Sequence, residues 1–405
     1  MNTSNISRLL PASLAGDFPA LAQPTPSGKP LVYLDSAATA LRPRSVIDAV
    51  VDAMVTRTGG VHRSVNFLGD RATQAYEESR LIVARWIGGL ENEVVFTRNT
   101  TDSLNLIAQG WPDRRRVLTS ATDHHSSLLS WGASRTTSIR PRIDGSVDEL
   151  TILNELAQGD VAIVCLSHVS NVTGHMPNIG AIVEQAHRHG AILVLDAAQS
   201  APHGPLDTQA LGCDFLAFSG HKLGSPAGIG VLWGKSECLT RLEVVSKGGG
   251  IVQSLRGGEI KYKDDPWRLE PGTPAIESVI GLAAAVDYLQ ELDFERLAEH
   301  LKFLRSYAIE KLSSLPKIRI LSPDAQDSMG PVSFYFDGLP SHVIARGLSD
   351  SYGVCIRSGF QCAEPLHQFL GIGPTLRLSF FVYNQVSDID FTIESIRSLV
   401  SLNAR

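Results

Sequence analysis

Short apolar runs alternate with stretches of helical periodicity through the middle of the chain. The runs are rich in Val, Ile and Leu, and they fall at residues 93–97, 161–167, 190–198, 213–219 and 228–234. Continuous apolar runs are typical of strands that are buried on both faces, and their alternation with helices favours a largely parallel sheet. The pattern therefore predicts an α/β domain.

The pattern changes near residue 280, where strands and helices no longer alternate regularly. A long helical stretch over 278–315 is predicted to break around Asp293. The elements predicted after it are a strand at 331–336, a helix at 341–351, a strand at 353–359 and a capped helix at 387–402. We therefore predict a large α/β domain at 26–293 and a smaller α+β domain at 1–25 and 294–405, with the Pro-rich segment before Leu31 packed on the smaller one.

The composition is that of a folded protein without a strong charge bias. Of the 405 residues, 43% are hydrophobic and 19% are charged, and the formal net charge is -6. No basic block stands out, which argues against nucleic acid as the main partner. No apolar run reaches the ~18–20 residues that span a bilayer, and the N-terminus lacks the pattern of a signal peptide, so a cytoplasmic location is expected.

The cysteines argue against a disulfide framework and against a structural zinc site. There are five of them, an odd number without a CxxC pair. We expect no metal, and we expect most of these side chains to be small buried apolar residues. They are Cys165, Cys213, Cys238, Cys355 and Cys362.

Polar residues cluster where predicted strands end, which is where ligands bind in open α/β sheets. Thr100 and Thr101 open a helix, where they can hold a phosphate or simply cap the helix. Asp196 directly follows an apolar run, and Gln199 comes soon after it. A buried acid needs a partner, which here is either a cationic ring nitrogen or the start of the next helix.

A lysine follows another apolar strand, in the sequence Ser219-Gly-His221-Lys222. It either extends from a turn into water or is a desolvated, nucleophilic amine that forms a Schiff base, with Ser219 and His221 near a phosphate. His124 follows a strand at 116–122 and can stack on a flat ring, move protons or serve only the structure. Together with Asp196 and the Thr-rich helix start, these residues fit pyridoxal phosphate.

Ordered motifs give the chain a family resemblance. They include "LDSAAT" (34–39), "FTRNTTDSLNLIA" (96–108), "LDAAQS" (195–200), "CDFLAFSGHKL" (213–223), "LEPGTP" (269–274) and "RSGFQCAEPLHQFLGI" (357–372). The chain resembles the type II cysteine desulfurase and selenocysteine lyase family, which belongs to the class V aminotransferase superfamily of fold-type I pyridoxal-phosphate enzymes. The resemblance implies a large, mostly parallel seven-stranded sheet domain and a smaller α+β domain that carries the Cys362 loop and Arg377.

The resemblance implies that one set of side chains holds the cofactor. These are Lys222 as the covalent anchor, Asp196 at the ring nitrogen, Gln199 at the ring hydroxyl, His124 stacked on the ring, Asn171 near the ring hydroxyl and the substrate, and Thr100, Thr101, Ser219 and His221 at the phosphate. Lys222, His124 and Cys362 are then the expected catalytic residues.

The same resemblance implies a substrate pocket and a second subunit. Arg377 would clamp the substrate carboxylate through two parallel hydrogen bonds, and Arg357 and His62 would line the pocket with Asn171. Thr273 would reach the phosphate of the other subunit, which implies a homodimer with shared active sites.

The implied reaction is conversion of L-cysteine to L-alanine with a persulfide on Cys362, for transfer to a small sulfur-acceptor protein. The chain departs from the family pattern at Phe360 and Gln361, where two histidines are usual, and this change can alter the pKa, access or acceptor docking of Cys362. Two alternatives stay open. One is a related pyridoxal-phosphate enzyme in which Cys362 is not essential (selenocysteine lyase, cysteine-sulfinate or C–S lyase, transaminase or epimerase), and the other is a cofactor-free scaffold.

Overall fold

The computed structural model describes residues 9–322 and 327–403, and the strands form four sheets. Strands of the first half are β1 (Val32–Tyr33), β2 (Val94–Thr97), β3 (Arg116–Ser120), β4 (Thr136–Ile139), β5 (Val161–Ser167), β6 (Ile192–Asp196), β7 (Phe215–Ser219) and β8 (Gly230–Gly234). Those of the second half are β9 (Val252–Arg256), β10 (Glu259–Tyr262), β11 (Ile318–Ile320), β12 (Val332–Phe336), β13 (Val354–Cys355), β14 (Arg357–Gly359) and β15 (Thr375–Leu378).

The α-helices cover the sheets and join their strands. The first seven are α1 (Arg44–Thr56), α2 (Phe67–Trp86), α3 (Thr100–Gly110), α4 (His125–Leu129), α5 (Glu149–Leu156), α6 (Ile179–Arg188) and α7 (Thr208–Leu211). They are followed by α8 (Ser236–Arg241), α9 (Ile276–Gln290), α10 (Phe294–Ser313), α11 (Ser341–Tyr352), α12 (Glu364–Leu370) and α13 (Val386–Asn403).

The largest sheet has seven strands in the order β2-β8-β7-β6-β5-β3-β4. All neighbours in it are parallel except at β8, which runs antiparallel to β2 and to β7. Strands β5 to β8 are buried along their whole length, as their apolar runs predict. The predicted large, mostly parallel seven-stranded sheet is confirmed.

Two elements of this part of the chain differ from the sequence pattern. The edge strand β4 has the polar sequence TTSI, so it lacks the apolar run that identified its neighbours. Strands β9 and β10 form an antiparallel hairpin whose residues are largely exposed, so no core face marks them as strands.

A second, antiparallel sheet is formed by β11-β12-β15-β14. The single strand predicted over 353–359 is two strands, because β13 pairs with β1 and β14 pairs with β15. The pairing of β1 with β13 joins the segment around Val32 to the part of the chain that carries the second sheet.

The helix break predicted around Asp293 is confirmed. The Asp293 side chain accepts the backbone N–H of Arg296 and caps α10.

The N-terminal segment is anchored by one aromatic residue. Phe18 is 1% exposed, and its ring makes edge-on contacts with the rings of Tyr383 at 4.7 Å and Tyr288 at 5.7 Å. The backbone N–H of Leu10 donates to Nδ1 of His300 at 3.2 Å. This segment therefore contacts both α9 and the region that follows β15.

Across residues 9–322 and 327–403, no helix is both long enough and apolar enough to cross a bilayer.

Replacing Phe18 tests whether this segment contributes to folding stability. We expect Phe18→Ala to lower the free energy of unfolding by about 3–5 kcal/mol, because a fully buried aromatic ring leaves a cavity between two other rings. Leu150→Ala removes a side chain that is 63% exposed and is the matched control. Denaturant unfolding followed by circular dichroism measures both, and equal midpoints for the two variants would contradict the expectation.

Candidate active site

A cavity of about 330 Å³ lies at the carboxyl ends of the central strands. Most of the predicted site residues line it: Thr100, Thr101, His124, Asn171, Asp196, Gln199, Ser219, His221, Lys222, Arg357, Cys362 and Arg377. Those of the large sheet are brought together because β5, β6 and β7 are parallel neighbours that end at the same edge. Arg357, Cys362 and Arg377 come from the region of β14 and β15.

Two predicted residues lie outside this cavity. Thr273 lines a second, larger cavity of about 900 Å³, which shares Asn99 and Thr101 with the first. His62 lines a third, smaller cavity, where its Nε2 is 2.7 Å from Oε1 of Glu77. Within a single chain, therefore, neither side chain contributes to the main cavity.

Hydroxyl groups converge at the start of α3. Oγ of Ser219 accepts the backbone N–H of Thr100 at 2.9 Å and lies 2.7 Å from the Thr100 hydroxyl. The Thr101 hydroxyl is 2.7 Å from Oγ of Ser126. Because the N-terminus of a helix carries partial positive charge and free backbone N–H groups, this cluster can hold an anion such as a phosphate.

The carboxylate of Asp196 is fixed at the end of β6. Oδ1 accepts the backbone N–H of Ala198 at 3.0 Å, and Oδ2 accepts the hydroxyl of Ser127 at 3.0 Å. The residue is 5% exposed. A buried, oriented carboxylate of this kind suits a cationic ring nitrogen.

Lys222 ends the short turn Gly220–Lys222 that follows β7. Burial lowers the pKa of its amine from 10.5 to about 8, against the attraction of the Asp196 carboxylate, which raises it. The amine can therefore be neutral near physiological pH, which is the form that attacks a carbonyl carbon.

His124 is neutral at physiological pH. Burial lowers its pKa to about 4, although the Asp196 carboxylate raises it. Its Nδ1 accepts the backbone N–H of Ser126 at 3.1 Å. The ring proton is therefore on Nε2, the nitrogen left free for a ligand.

Gln199 and His221 are held by the segment that follows β1. Nε2 of Gln199 donates to the carbonyl oxygen of Ala37 at 3.0 Å, and the carbonyl oxygen of His221 accepts the N–H of Ala40 at 3.0 Å. Burial lowers the pKa of His221 to about 4. Ala37 also lines the cavity, so the "LDSAAT" motif forms one of its walls.

The Cys362 loop is held in an unusual backbone conformation. Gln361 and Cys362 both have φ of 55°, in the left-handed region that non-glycine residues rarely adopt. Two hydrogen bonds hold it: Nδ2 of Asn171 donates to the Gln361 carbonyl oxygen at 2.6 Å, and the His125 N–H donates to the Cys362 carbonyl oxygen at 2.9 Å. The Cys362 side chain is exposed and lines the cavity.

The two positions that depart from the family pattern have different environments. Phe360 is 36% exposed, and its ring packs edge-on against the ring of the buried His367 at 5.3 Å. Gln361 is buried, and its Nε2 donates to the carbonyl oxygen of Gly359 at 3.2 Å. An exposed aromatic ring and a structural amide therefore replace two imidazoles beside Cys362.

Arg377 presents an unpaired donor. Its Nη1 donates to the Asn171 carbonyl oxygen at 3.1 Å, and its Nη2 donates to Oδ1 of Asp35 at 3.2 Å. Over the described part of the chain its Nε has no hydrogen-bond partner, and the residue is 3% exposed. Burial lowers its pKa, while Asp35 raises it. A buried, unpaired guanidinium N–H fits a carboxylate ligand.

Sequence reasoning missed Asp35, Ser126 and Ser127. Asp35 orients Arg377, Ser126 contacts Thr101 and His124, and Ser127 donates to Asp196. Asp35 lies within the "LDSAAT" motif, and Ser126 and Ser127 close the similar stretch "DHHSS" (123–127), so position in a motif was the only available signal.

Lys222 offers a direct test of its altered environment. We expect its amine to react with a small aldehyde at a rate that reaches half of its maximum at about pH 8, because the lowered pKa leaves a large neutral fraction there. Asp196→Asn should move this midpoint to lower pH, because the lost negative charge no longer favours the charged amine. Borohydride trapping with peptide mapping measures both midpoints. The exposed Lys261 is the internal reference, and a Lys222 midpoint equal to that of Lys261 would contradict the expectation.

Known proteins resemble this chain in sequence and in fold. The family model for class-V aminotransferases matches residues 32–391. A probable cysteine desulfurase 2 from Mycobacterium leprae is 38% identical over 399 residues, which cover 95% of each chain. The apo structure of cysteine desulfurase from Thermococcus onnurineus NA1 has a TM-score of 0.90 at 34% identity, covering 97% of this chain and 98% of that one. The cysteine desulfurase CsdA from Escherichia coli, solved as an S-sulfonic acid, has a TM-score of 0.87 at 35% identity, covering 96% and 98%.

Proposed function

The chain belongs to the class-V aminotransferase family, and we propose that it is a pyridoxal-phosphate-dependent cysteine desulfurase that converts L-cysteine to L-alanine. The family and the fold-type I architecture implied by the sequence motifs are thereby confirmed. One observation carries the proposal: an exposed Cys362 shares a single cavity with Lys222 and Arg377. A nucleophile, a reactive amine and a carboxylate clamp are the groups that this reaction needs.

The residues of the cavity fit pyridoxal phosphate. Lys222 supplies a desolvated amine for the covalent link, and Asp196 supplies a buried carboxylate for the ring nitrogen. Ser219 supplies a hydroxyl group for the phosphate, next to the N-terminus of α3. Thr100 and Thr101 complete that donor set, and the neutral ring of His124 is available for stacking. When bound, this cofactor draws electrons away from the α-carbon of an amino acid.

Asn171 and Arg377 would orient the substrate. Asn171 fixes one guanidinium nitrogen through its carbonyl oxygen, and Asp35 fixes another, which leaves Nε for the substrate carboxylate. Arg357 lies on the same wall of the cavity. Lys222, with a pKa of about 8, can take a proton from the substrate and return it within the normal pH range.

Cys362 would perform the sulfur transfer. Its thiolate attacks the substrate sulfur, so that an S–S bond forms as the substrate C–S bond breaks. The electron pair of the broken bond stays with the carbon skeleton, which takes up a proton and leaves as alanine. The persulfide remains on Cys362, and no external oxidant or reductant is needed.

The proposal includes a second copy of the chain and a sulfur acceptor. Thr273 is exposed on the wall of the cavity that adjoins Thr101, where a second copy of the chain can reach the phosphate side of the site. The exposed Cys362 leaves the persulfide open to a small acceptor protein. We place this chemistry in the cytoplasm, where thiols stay reduced.

Cys362→Ala tests the assignment of the nucleophile. We expect formation of alanine and of protein persulfide from L-cysteine to fall at least ~100-fold, because no other thiol lines the cavity described here. The visible absorbance of the bound cofactor should persist, since Lys222 is untouched. Product analysis with and without a thiol reductant measures both quantities.

Cys355→Ala is the matched control for that experiment. Cys355 is partly buried on β13 and does not line the cavity, so its loss should leave the product yield unchanged. If Cys362→Ala keeps full activity, the enzyme instead belongs to the related lyases and transaminases in which this cysteine is not essential.

Arg377→Lys tests the carboxylate clamp. We expect KM for L-cysteine to rise about 10-fold to 100-fold with a smaller change in kcat, because an ammonium group cannot keep the contacts to Asn171 and Asp35 and also direct a fixed donor at the carboxylate. Arg319→Lys, at a side chain that is 66% exposed, should leave KM unchanged. An unaltered KM in Arg377→Lys would show that the carboxylate binds elsewhere.

A further inference from the structure

The two predicted residues outside the main cavity lie beside one partly buried ionic cluster. We define the Arg80 cluster as Tyr76, Glu77, Arg80 and Glu270. His62 bonds to Glu77, and Thr273 follows Glu270 in the same short segment. His62 is therefore bonded to this cluster, and Thr273 lies three residues beyond one of its members.

The centre of the cluster is the pair formed by Arg80 and Glu270. Arg80 is 1% exposed, and its two terminal nitrogens donate to the two oxygens of Glu270 at 2.6 and 2.9 Å. The Glu270 carboxylate also accepts the hydroxyl of Tyr76 at 2.9 Å and the backbone N–H of Phe96 at 2.7 Å. Four donors thus converge on one carboxylate, which ties the segment that begins at Glu270 to α2 and β2.

Glu77 extends the cluster to His62. Its carboxylate accepts Nε of Arg80 at 2.8 Å, Nε2 of His62 at 2.7 Å and Nε1 of Trp267 at 3.1 Å. Burial raises the pKa of Glu77, but these hydrogen bonds outweigh that effect and lower it to about 2. The carboxylate is therefore ionised throughout the working pH range, and the position of His62 is coupled to that of Glu270.

The surface around these residues is open in a single chain. Thr101, which lines the main cavity, and Thr273 are both exposed on the wall of the 900 Å³ cavity. Val65 and Phe67, just after His62, are 102% and 70% exposed. Apolar side chains at this exposure favour a second copy of the chain as the covering partner.

We propose that the Arg80 cluster is a positioning device that acts across the dimer: it presents His62 and Thr273 together to the main cavity of the partner subunit. This inference rests on the homodimer of the proposed function and adds to it the residues that align the shared site. Arg80 and Glu270 touch neither substrate nor cofactor, so they are positioning residues that act through Thr273 and His62.

A mixed dimer tests the direction of this action. Glu270→Gln replaces a carboxylate that accepts four hydrogen bonds with an amide that cannot accept all of them. We expect kcat/KM of the Glu270→Gln homodimer to fall at least ~10-fold, and we expect it to lose cofactor faster on dilution. Lys222→Ala lacks the proposed covalent anchor of the cofactor, and we expect it to be inactive. Co-expression of the two variants with different affinity tags gives dimers in which one site combines an intact Lys222 with an intact cluster from the partner.

We expect the purified mixed dimer to recover about half of the wild-type activity, since one of its two sites is complete. The control dimer of wild type with Lys222→Ala should give the same value. No recovery above the sum of the two homodimers would mean that the cluster serves its own chain, which would overturn the inference. A monomeric wild-type protein in light scattering would overturn it as well.

Two further variants serve as a substitute for Glu270→Gln and as a control for it. If Glu270→Gln does not fold, Glu77→Gln replaces it, because Glu77 is 31% exposed and its loss spares the Arg80–Glu270 pair. Glu184→Gln, at a side chain that is 73% exposed on α6, is the matched control and should keep full activity. A wild-type enzyme that forms no alanine would contradict the proposed function, whereas an active wild type without complementation would contradict only this inference.

Discussion

Burial of charge at the carboxyl edge of the large sheet is the constraint on which the candidate site depends. β6 and β7 are parallel neighbours, so their ends place Asp196 and the turn with Lys222 at the same edge. Removal of water lowers the pKa of Lys222 to about 8 and that of His124 to about 4, while Asp196 opposes both shifts. The same burial therefore produces a reactive amine and a neutral imidazole within one cavity.

The carboxylate clamp proposed for Arg377 depends on contact between the two main sheets. Arg377 is on β15 of the smaller sheet, and its partners are Asn171, after β5 of the larger sheet, and Asp35, after β1. Asn171 also holds the backbone of Gln361, so one side chain connects the clamp to the Cys362 loop. Small movements between the sheets would therefore alter the positions of both Arg377 and Cys362.

Much of the fold follows from local pattern, and the exceptions have a common cause. Strands β5 to β8 and the break at Asp293 were predictable because burial on both faces and helix capping leave a trace in neighbouring residues. The edge strand β4 and the hairpin of β9 and β10 were not, because exposed or polar strands carry no such trace. β4 is fixed by its pairing with β3, whereas β9 and β10 pair with each other across a short turn.

For the candidate site, the sequence by itself singled out polar residues that the structure brings into one cavity, since Lys222, Asp196 and His124 each follow an apolar strand and ligands bind at strand ends. Only the tertiary structure decided how those residues are held. Asp35 meets Arg377, and Arg80 meets Glu270, across long separations in the chain. Hydrogen bonds between such distant groups depend on which elements pack together, and local periodicity reports burial but not the identity of the partner.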